Sequence, residues 1–202
     1  MAERMRGEER RAQVREIAAR EFAQNGLHGA SIDAIAREAE ITQAYVFRMF
    51  GTKKALFLEL VTAAFDRVSD GMLRAAADEV GLDGLGRMGA EYYDLLADRT
   101  SLLLQLQGFA ACGDDEVRAV VRERLARMWR VVADTTGLDA VTVKSFLAFG
   151  MLLNVGAAVD VDAIDEPWAE GIRTRIQAGL FDHITADTNV SAKSDATMKK
   201  QR

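Results

Sequence analysis

Apolar residues recur at helical spacing along most of this chain, and glycine or polar breaks divide them into segments. Val14, Ile17, Ala18 and Phe22 mark one face of a first helix over residues 8–25, stopped by Asn25 and Gly26. Residues 1–7 read as a mobile arm, with Arg4 and Arg6 in reach of a minor groove or phosphates once DNA is present. His28 falls in the loop that follows. Ser31 then caps a short helix over residues 32–39, with Ile32, Ile35, Ala36 and Ala39 on one face. Glu40 and Ile41 form a tight turn, Thr42 caps a helix over residues 43–50, and Gly51 ends it. Thr52 caps a long helix over residues 53–78.

Helical geometry orients the 43–50 segment. At about 100° per residue, Val46, Met49 and Phe50 face inward. Thr42, Gln43, Ala44, Tyr45, Phe47 and Arg48 make the outer surface, which contains no acid. Ala44 lets the backbone approach closely, Gln43 has the amide to read an adenine edge, and Arg48 reaches guanine or phosphate. Such a surface suits a DNA major groove. Lys53 and Lys54 stand at the N-terminus of their helix, where the dipole disfavours cations unless an anion docks there. A DNA phosphate reverses that balance, because the free N–H groups and the lysines then act together.

The order Phe22, Gly26, Ser31, Ile35-Ala36, Ala39, Ile41-Thr42, Val46-Phe47, Phe50, Thr52-Lys53 and Leu56 resembles the tetracycline-repressor (TetR) family of transcriptional regulators over residues 10–60. Two positions depart from that pattern. Glu40 stands where the family usually has glycine, at a strain of about 1 kcal/mol if the turn needs positive φ. Phe47 replaces a phosphate-contacting tyrosine and loses its hydroxyl, about 0.5–1.5 kcal/mol of hydrogen bonding. Tyr45 is placed to supply a hydroxyl from the other flank. The candidate DNA contacts are Ser31, Thr42, Gln43, Ala44, Tyr45, Phe47 and Arg48, with Lys53 and Lys54 on phosphate.

The pattern beyond residue 80 stays helical. Residues 81–86, GLDGLG, break the periodicity and read as a connection. Helices follow over residues 85–97, 101–112 and 116–135, the last capped by Asp114-Asp115. Its Arg118, Arg122, Arg124, Arg127 and Arg130 read as a solvated cationic stripe. Residues 141–159 are apolar nearly all round, so this helix needs cover on every side, part of it from a second subunit. The run 146–159 is too short to span a bilayer and is interrupted by Asn154. Pro167 opens a final helix over residues 168–184, and 189–202 is polar and expected to be disordered.

Composition agrees with an all-α protein: 202 residues, 49% hydrophobic, with one proline and 16 glycines. The net charge of −5 is uneven, with +2 in residues 1–54 and −7 in the remainder. A basic end and an acidic remainder favour DNA at one face and repel it from the rest. Cys112 is the single cysteine, which excludes an intrachain disulfide and reads as a buried thiol in a reducing cytoplasm. The N-terminus is charged and has no signal-peptide pattern.

The resemblance implies an N-terminal three-helix helix-turn-helix DNA-binding domain, residues 8–58, joined by the long helix to a helical ligand-binding and dimerisation domain, residues 59–188. It implies a homodimer through the last two helices, about 141–184, and a small-molecule effector that releases a repressor from a palindromic operator. Candidate pocket residues for a mostly apolar or aromatic ligand are Met72, Met88, Tyr92, Tyr93 and Leu96. Leu103, Gln105, Phe109, Trp129, Phe149 and Asn154 complete the set. A buried Asn154 needs a partner, either the ligand or its own copy across a dimer. No cofactor or metal is implied, since His28 and His183 lie apart and no phosphate loop or nucleophile elbow is present. A helical protein-binding adaptor and, behind it, an enzyme are the alternatives; the adaptor leaves the Gln43 and Arg48 surface unused.

Overall fold

The computed structural model describes residues 2–183, with side chains from residue 7 to 181. The expected tail at 189–202 lies outside the described residues. In order, the helices are α1 (Ala2–Gly29), α2 (Ile32–Glu38), α3 (Gln43–Phe50), α4 (Lys53–Ala76) and α5 (Gly81–Leu95). They continue with α6 (Arg99–Ala110), α7 (Asp115–Thr136), α8 (Ala140–Ala158) and α9 (Pro167–Arg173). Among the described residues there is no strand. The fold is all-α: a three-helix helix-turn-helix domain followed by a helical C-terminal domain.

Local chemistry sets the first four elements. Ser31 Oγ accepts from the Ala34 N–H (3.2 Å), Thr42 Oγ1 from Tyr45 (3.3 Å) and Thr52 Oγ1 from Ala55 (3.0 Å). The α2–α3 turn carries Glu40 at φ 56°, so the chain accepts a left-handed residue without glycine. The backbone of α1 is helical from Ala2, so residues 2–7 of the expected arm are helix instead. That helix bends at Gly26 (φ 66°, ψ −177°). A Cβ there would lie 2.6 Å from Gln107 Oε1, and Gln107 Nε2 donates to the Ala23 carbonyl (3.3 Å). The bend is a backbone conformation that favours glycine, and Gln107 of α6 packs against it.

The central element is α4, which packs against α1, α3, α5, α6 and α7. Phe57 meets Phe22 of α1 edge-on at 5.3 Å, and Phe65 meets Phe109 of α6 at 5.5 Å. The arginine stripe of α7 is only partly solvated. Arg124 pairs with Asp66 (3.1 Å), and Arg127 with Asp66 (3.3 Å) and Asp70 (2.5 Å), which fastens α7 to α4. Cys112 is half-buried, and its thiol donates to the Gly108 carbonyl (3.4 Å).

Three expectations for the C-terminal half change. Residues 81–86 belong to α5, because Gly84 leaves room for the Glu79 carbonyl, which a Cβ would approach to 2.5 Å. The connection is the shorter stretch before it, where Ala77 has φ 50°. The final helix stops at Arg173, whose carbonyl, free of an intrahelical partner, accepts from the Tyr93 hydroxyl (3.0 Å). After residues 174–177 a 3₁₀ segment, Ala178–His183, returns Phe181 to the core, edge-on to Phe146 (6.3 Å) and Phe149 (6.0 Å). Finally, α8 is longer than the apolar run inside it. Its 19 residues are long and apolar enough, by length and composition, to cross a membrane, contrary to the reading of residues 146–159. One side of it, with Val143 and Asn154, nevertheless faces the rest of the domain, and Gly156 on the opposite side packs against Val161 and Ile172, while Met151, Leu152, Val155 and Val159 are exposed.

Candidate nucleic-acid interface and cavity

The α3 surface follows the helical wheel. Val46 and Phe50 are buried and Met49 is half-buried. Thr42, Gln43, Ala44, Phe47 and Arg48 are exposed, and Tyr45 is half-exposed. Phe47 leaves 42% of its surface open on this face. The Arg48 guanidinium rests 4.4 Å over the Tyr45 ring. Ser31 is half-buried, and its oxygen is committed to capping α2. Arg11 secures the unit from behind: it stacks 4.2 Å over Phe50 and pairs with Glu59 at 2.7 Å.

Two features escaped the sequence. Asp33 of α2 stands beside the acid-free face of α3, accepting from Gln43 Nε2 (3.0 Å) and pairing with Arg37. Gln43 holds its carboxyl below the usual carboxylate range, with Arg37 adding to the effect. One Gln43 amide hydrogen is thereby engaged, and the other hydrogen and the amide oxygen stay free. The two lysines of α4 also diverge. Lys53 is half-buried, with its ammonium on the His28 carbonyl (3.0 Å) at the end of α1. Lys54 turns away to the C-terminal domain and pairs with Glu116 (2.8 Å) and Asp114 (3.1 Å), which raise its pKa. The expected phosphate role of Lys54 thus meets a side chain already committed to α7.

A cavity of about 640 Å³ lies among α4, α5, α6, α7, α8 and the return after α9. Seven expected residues line it: Met72, Tyr92, Tyr93, Gln105, Phe109, Phe149 and Asn154. Four do not. Met88 is fully buried in the core, Leu103 and Trp129 are half-buried against it, and Leu96 lines a separate small crevice. The sequence missed Phe65, Leu85, Leu125, Met128, Phe146 and Leu147 on the walls. It also missed the stretch from Ile172 to Phe181, which forms a wall only because the last helix breaks. The all-round apolarity of α8 was the available signal for Phe146 and Leu147.

Polar groups in the cavity are few. Tyr92 Oη donates to Asn154 Oδ1 (2.5 Å), so the buried asparagine finds its partner inside the chain. Burial pushes the Tyr92 phenol pKa well up, opposed by that hydrogen bond, and the ring stays neutral. Arg175 is exposed and lies 4.4 Å over the Tyr93 ring.

A helix-turn-helix domain, joined by one long helix to a helical domain holding an apolar cavity, defines a class of two-domain DNA-binding proteins. Residues 14–60 match the model of the bacterial regulatory proteins, tetR family. A 63-residue stretch is 36% identical to the uncharacterized HTH-type transcriptional regulator YdgC of Bacillus subtilis (strain 168). That match covers 31% of this chain and 32% of YdgC, so the chain spans about a third of this relative's length. The match places a TetR-family DNA-binding domain at the N-terminus, over residues 14–60.

Solved structures extend the likeness in fold. A Rhodococcus sp. structure assigned to the TetR-family transcriptional regulators aligns with TM-score 0.63 at 18% identity, covering 89% of this chain and 100% of that one. A structure assigned as a transcriptional regulator from Pseudomonas aeruginosa PAO1 gives 0.62 at 20% identity, covering 89% and 95%. The transcriptional regulator FadR of Bacillus subtilis, in complex with stearoyl-CoA, gives 0.60 at 14%, covering 85% and 93%. At these identities the likeness carries the fold alone.

Proposed function

We propose that this protein is a transcriptional repressor that grips a palindromic operator as a homodimer and is released when a small, mostly apolar or aromatic molecule fills the cavity. One observation carries the reading: α4 serves both sites. Its first residue, Lys53, stands behind the recognition helix, and its Phe65 and Met72 wall the cavity. About 28 Å of helix separates Lys53 from Met72 at 1.5 Å per residue. A ligand that binds better to one tilt of α4 than another shifts the recognition helix with it. Ser31, Thr42, Gln43, Ala44, Tyr45, Phe47, Arg48 and Lys53 form the DNA-contacting set, within a domain spanning residues 8–58.

The dimer is supported by the uncovered side of α8, where Met151, Leu152, Val155 and Val159 are exposed, with Trp168 beyond it. One recognition helix reads only a few base pairs; a two-fold pair places two of them about 34–36 Å apart in successive major grooves. The FadR neighbour, in complex with stearoyl-CoA, supports an effector with an apolar body such as that molecule's acyl chain. Operator DNA places the work in the cytoplasm.

Genomic fragments, including the DNA upstream of the protein's own gene, are screened by gel shift at physiological salt. The expected result is tight binding to few fragments and weak binding to random DNA. Equal affinity for both would end the repressor reading.

A further inference from the structure

We infer that the cavity selects an uncharged molecule, with an apolar body and one hydroxyl or carbonyl group that hydrogen-bonds at its buried end to Gln105 and Asn154. This deepens, and rests on, the reading of the cavity as the effector site. Gln105 is 4% exposed and lines the cavity, and its side chain makes no hydrogen bond to any described residue. Its amide is not sealed in protein but opens onto the cavity, where a ligand group can reach it and take the place of a protein partner. Asn154 is also 4% exposed. Its oxygen is taken by the Tyr92 hydroxyl, and its Nδ2 hydrogens have no acceptor among the described residues. Gln105, Asn154 and Tyr92 also meet at the small crevice beside the cavity, so the three polar groups share one end of it.

The charge at that end is settled by what surrounds it. Arg175 is the single charged side chain among the described residues lining the cavity, and it is exposed. Arg67 borders the crevice but is paired with Asp98 at 2.8 Å. A carboxylate pushed to Gln105 would lose its water and meet no free cation. A hydroxyl or carbonyl instead accepts from the Gln105 and Asn154 amides, and a hydroxyl also donates to Gln105 Oε1. Phe146, Phe149 and Phe181 then face the apolar body.

The test uses the full chain without DNA and three matched probes, 2-naphthol, naphthalene and 2-naphthoate, with affinities read by fluorescence titration. The expected order is naphthol about ten-fold tighter than naphthalene, with naphthoate weaker than naphthol. In Gln105→Met the naphthol-to-naphthalene ratio falls towards one while naphthalene affinity holds. Asn154→Leu gives the same fall, and a ratio between two ligands of one protein is insensitive to partial loss of fold. Binding of none of the probes, equal binding of naphthol and naphthalene, preference for naphthoate, or an unchanged ratio in both variants overturns the inference. If the order holds but no bound probe releases DNA, the cavity chemistry stands and the repressor reading fails.

Discussion

The ammonium of Lys54, the second residue of α4, lies 3.1 Å from the carboxylate of Asp114, the N-cap of α7. Its neighbour Lys53 instead sits on the end of α1, 3.0 Å from the His28 carbonyl. Adjacent residues at about 100° to each other thus serve different domains. One lysine stays with the DNA-reading unit, and the other ties it to the C-terminal helices.

That divergence predicts different phenotypes in a salt titration of operator binding. Lys53→Ala weakens binding across sequences and lowers the slope of log affinity against log salt by about one. Lys54→Ala leaves the slope unchanged but raises the effector concentration needed for half-release by about five-fold, because the coupling contact is gone. Matching slope losses in the two variants would place Lys54 on DNA after all.

Asp114 also sets an acid limit. The N–H of Val117 and then Lys54 hold its carboxyl below the usual carboxylate range. Asp139, the cap of α8, is lowered in the same way by the Thr142 hydroxyl. A depressed folded-state pKa means stabilisation that is complete above the unfolded value, about 3.9, and lost as pH falls through the folded value. Thermal melts should therefore be flat near neutrality and fall below about pH 4. Asp114→Asn, which keeps a capping oxygen, should show a shallower acid limb; an identical limb would remove Asp114 from the account.

Glu40 holds φ 56° in the turn before the recognition helix. Left-handed backbone strains a residue with a Cβ by about 1–2 kcal/mol, partly offset by the entropy glycine loses on folding. Glu40→Gly should therefore raise stability by up to about 1 kcal/mol in urea unfolding, whereas Glu40→Ala should not. A gain from alanine equal to that from glycine would locate the effect in the charge.

Gly26 bends α1 where Gln107 of α6 presses in. Gly26→Ala should destabilise by about 1–3 kcal/mol, since it meets both a positive φ and a close oxygen. Adding Gln107→Ala should restore the steric part and leave the conformational part. Strict additivity of the two changes in a double-mutant cycle would show that the side chains do not meet.

How much of this was legible follows the range of the forces involved. The caps at Ser31, Thr42 and Thr52 act within three residues, so the helix-turn-helix was readable to within a residue. The buried and exposed sides of α3 followed from angular spacing alone. The cavity was half legible: amphipathic spacing marks a residue as inward, but core and cavity wall are both inward. Met88 and Met72 look alike in sequence, yet one fills space and the other borders it.

The chain's order of residues determined the all-α class, the reading helix and its outward side chains, because each depends on neighbours within a turn or two. Tertiary packing decided the rest. A hydroxyl 80 positions away, on Tyr93, satisfies the carbonyl at the end of α9. An acidic cap 60 positions away, on Asp114, takes Lys54 from the DNA side. The return that brings Phe181 to Phe146 and Phe149 closes one wall of the cavity. Such partners meet only after the helices have docked, and no periodicity along the chain encodes which of them will touch.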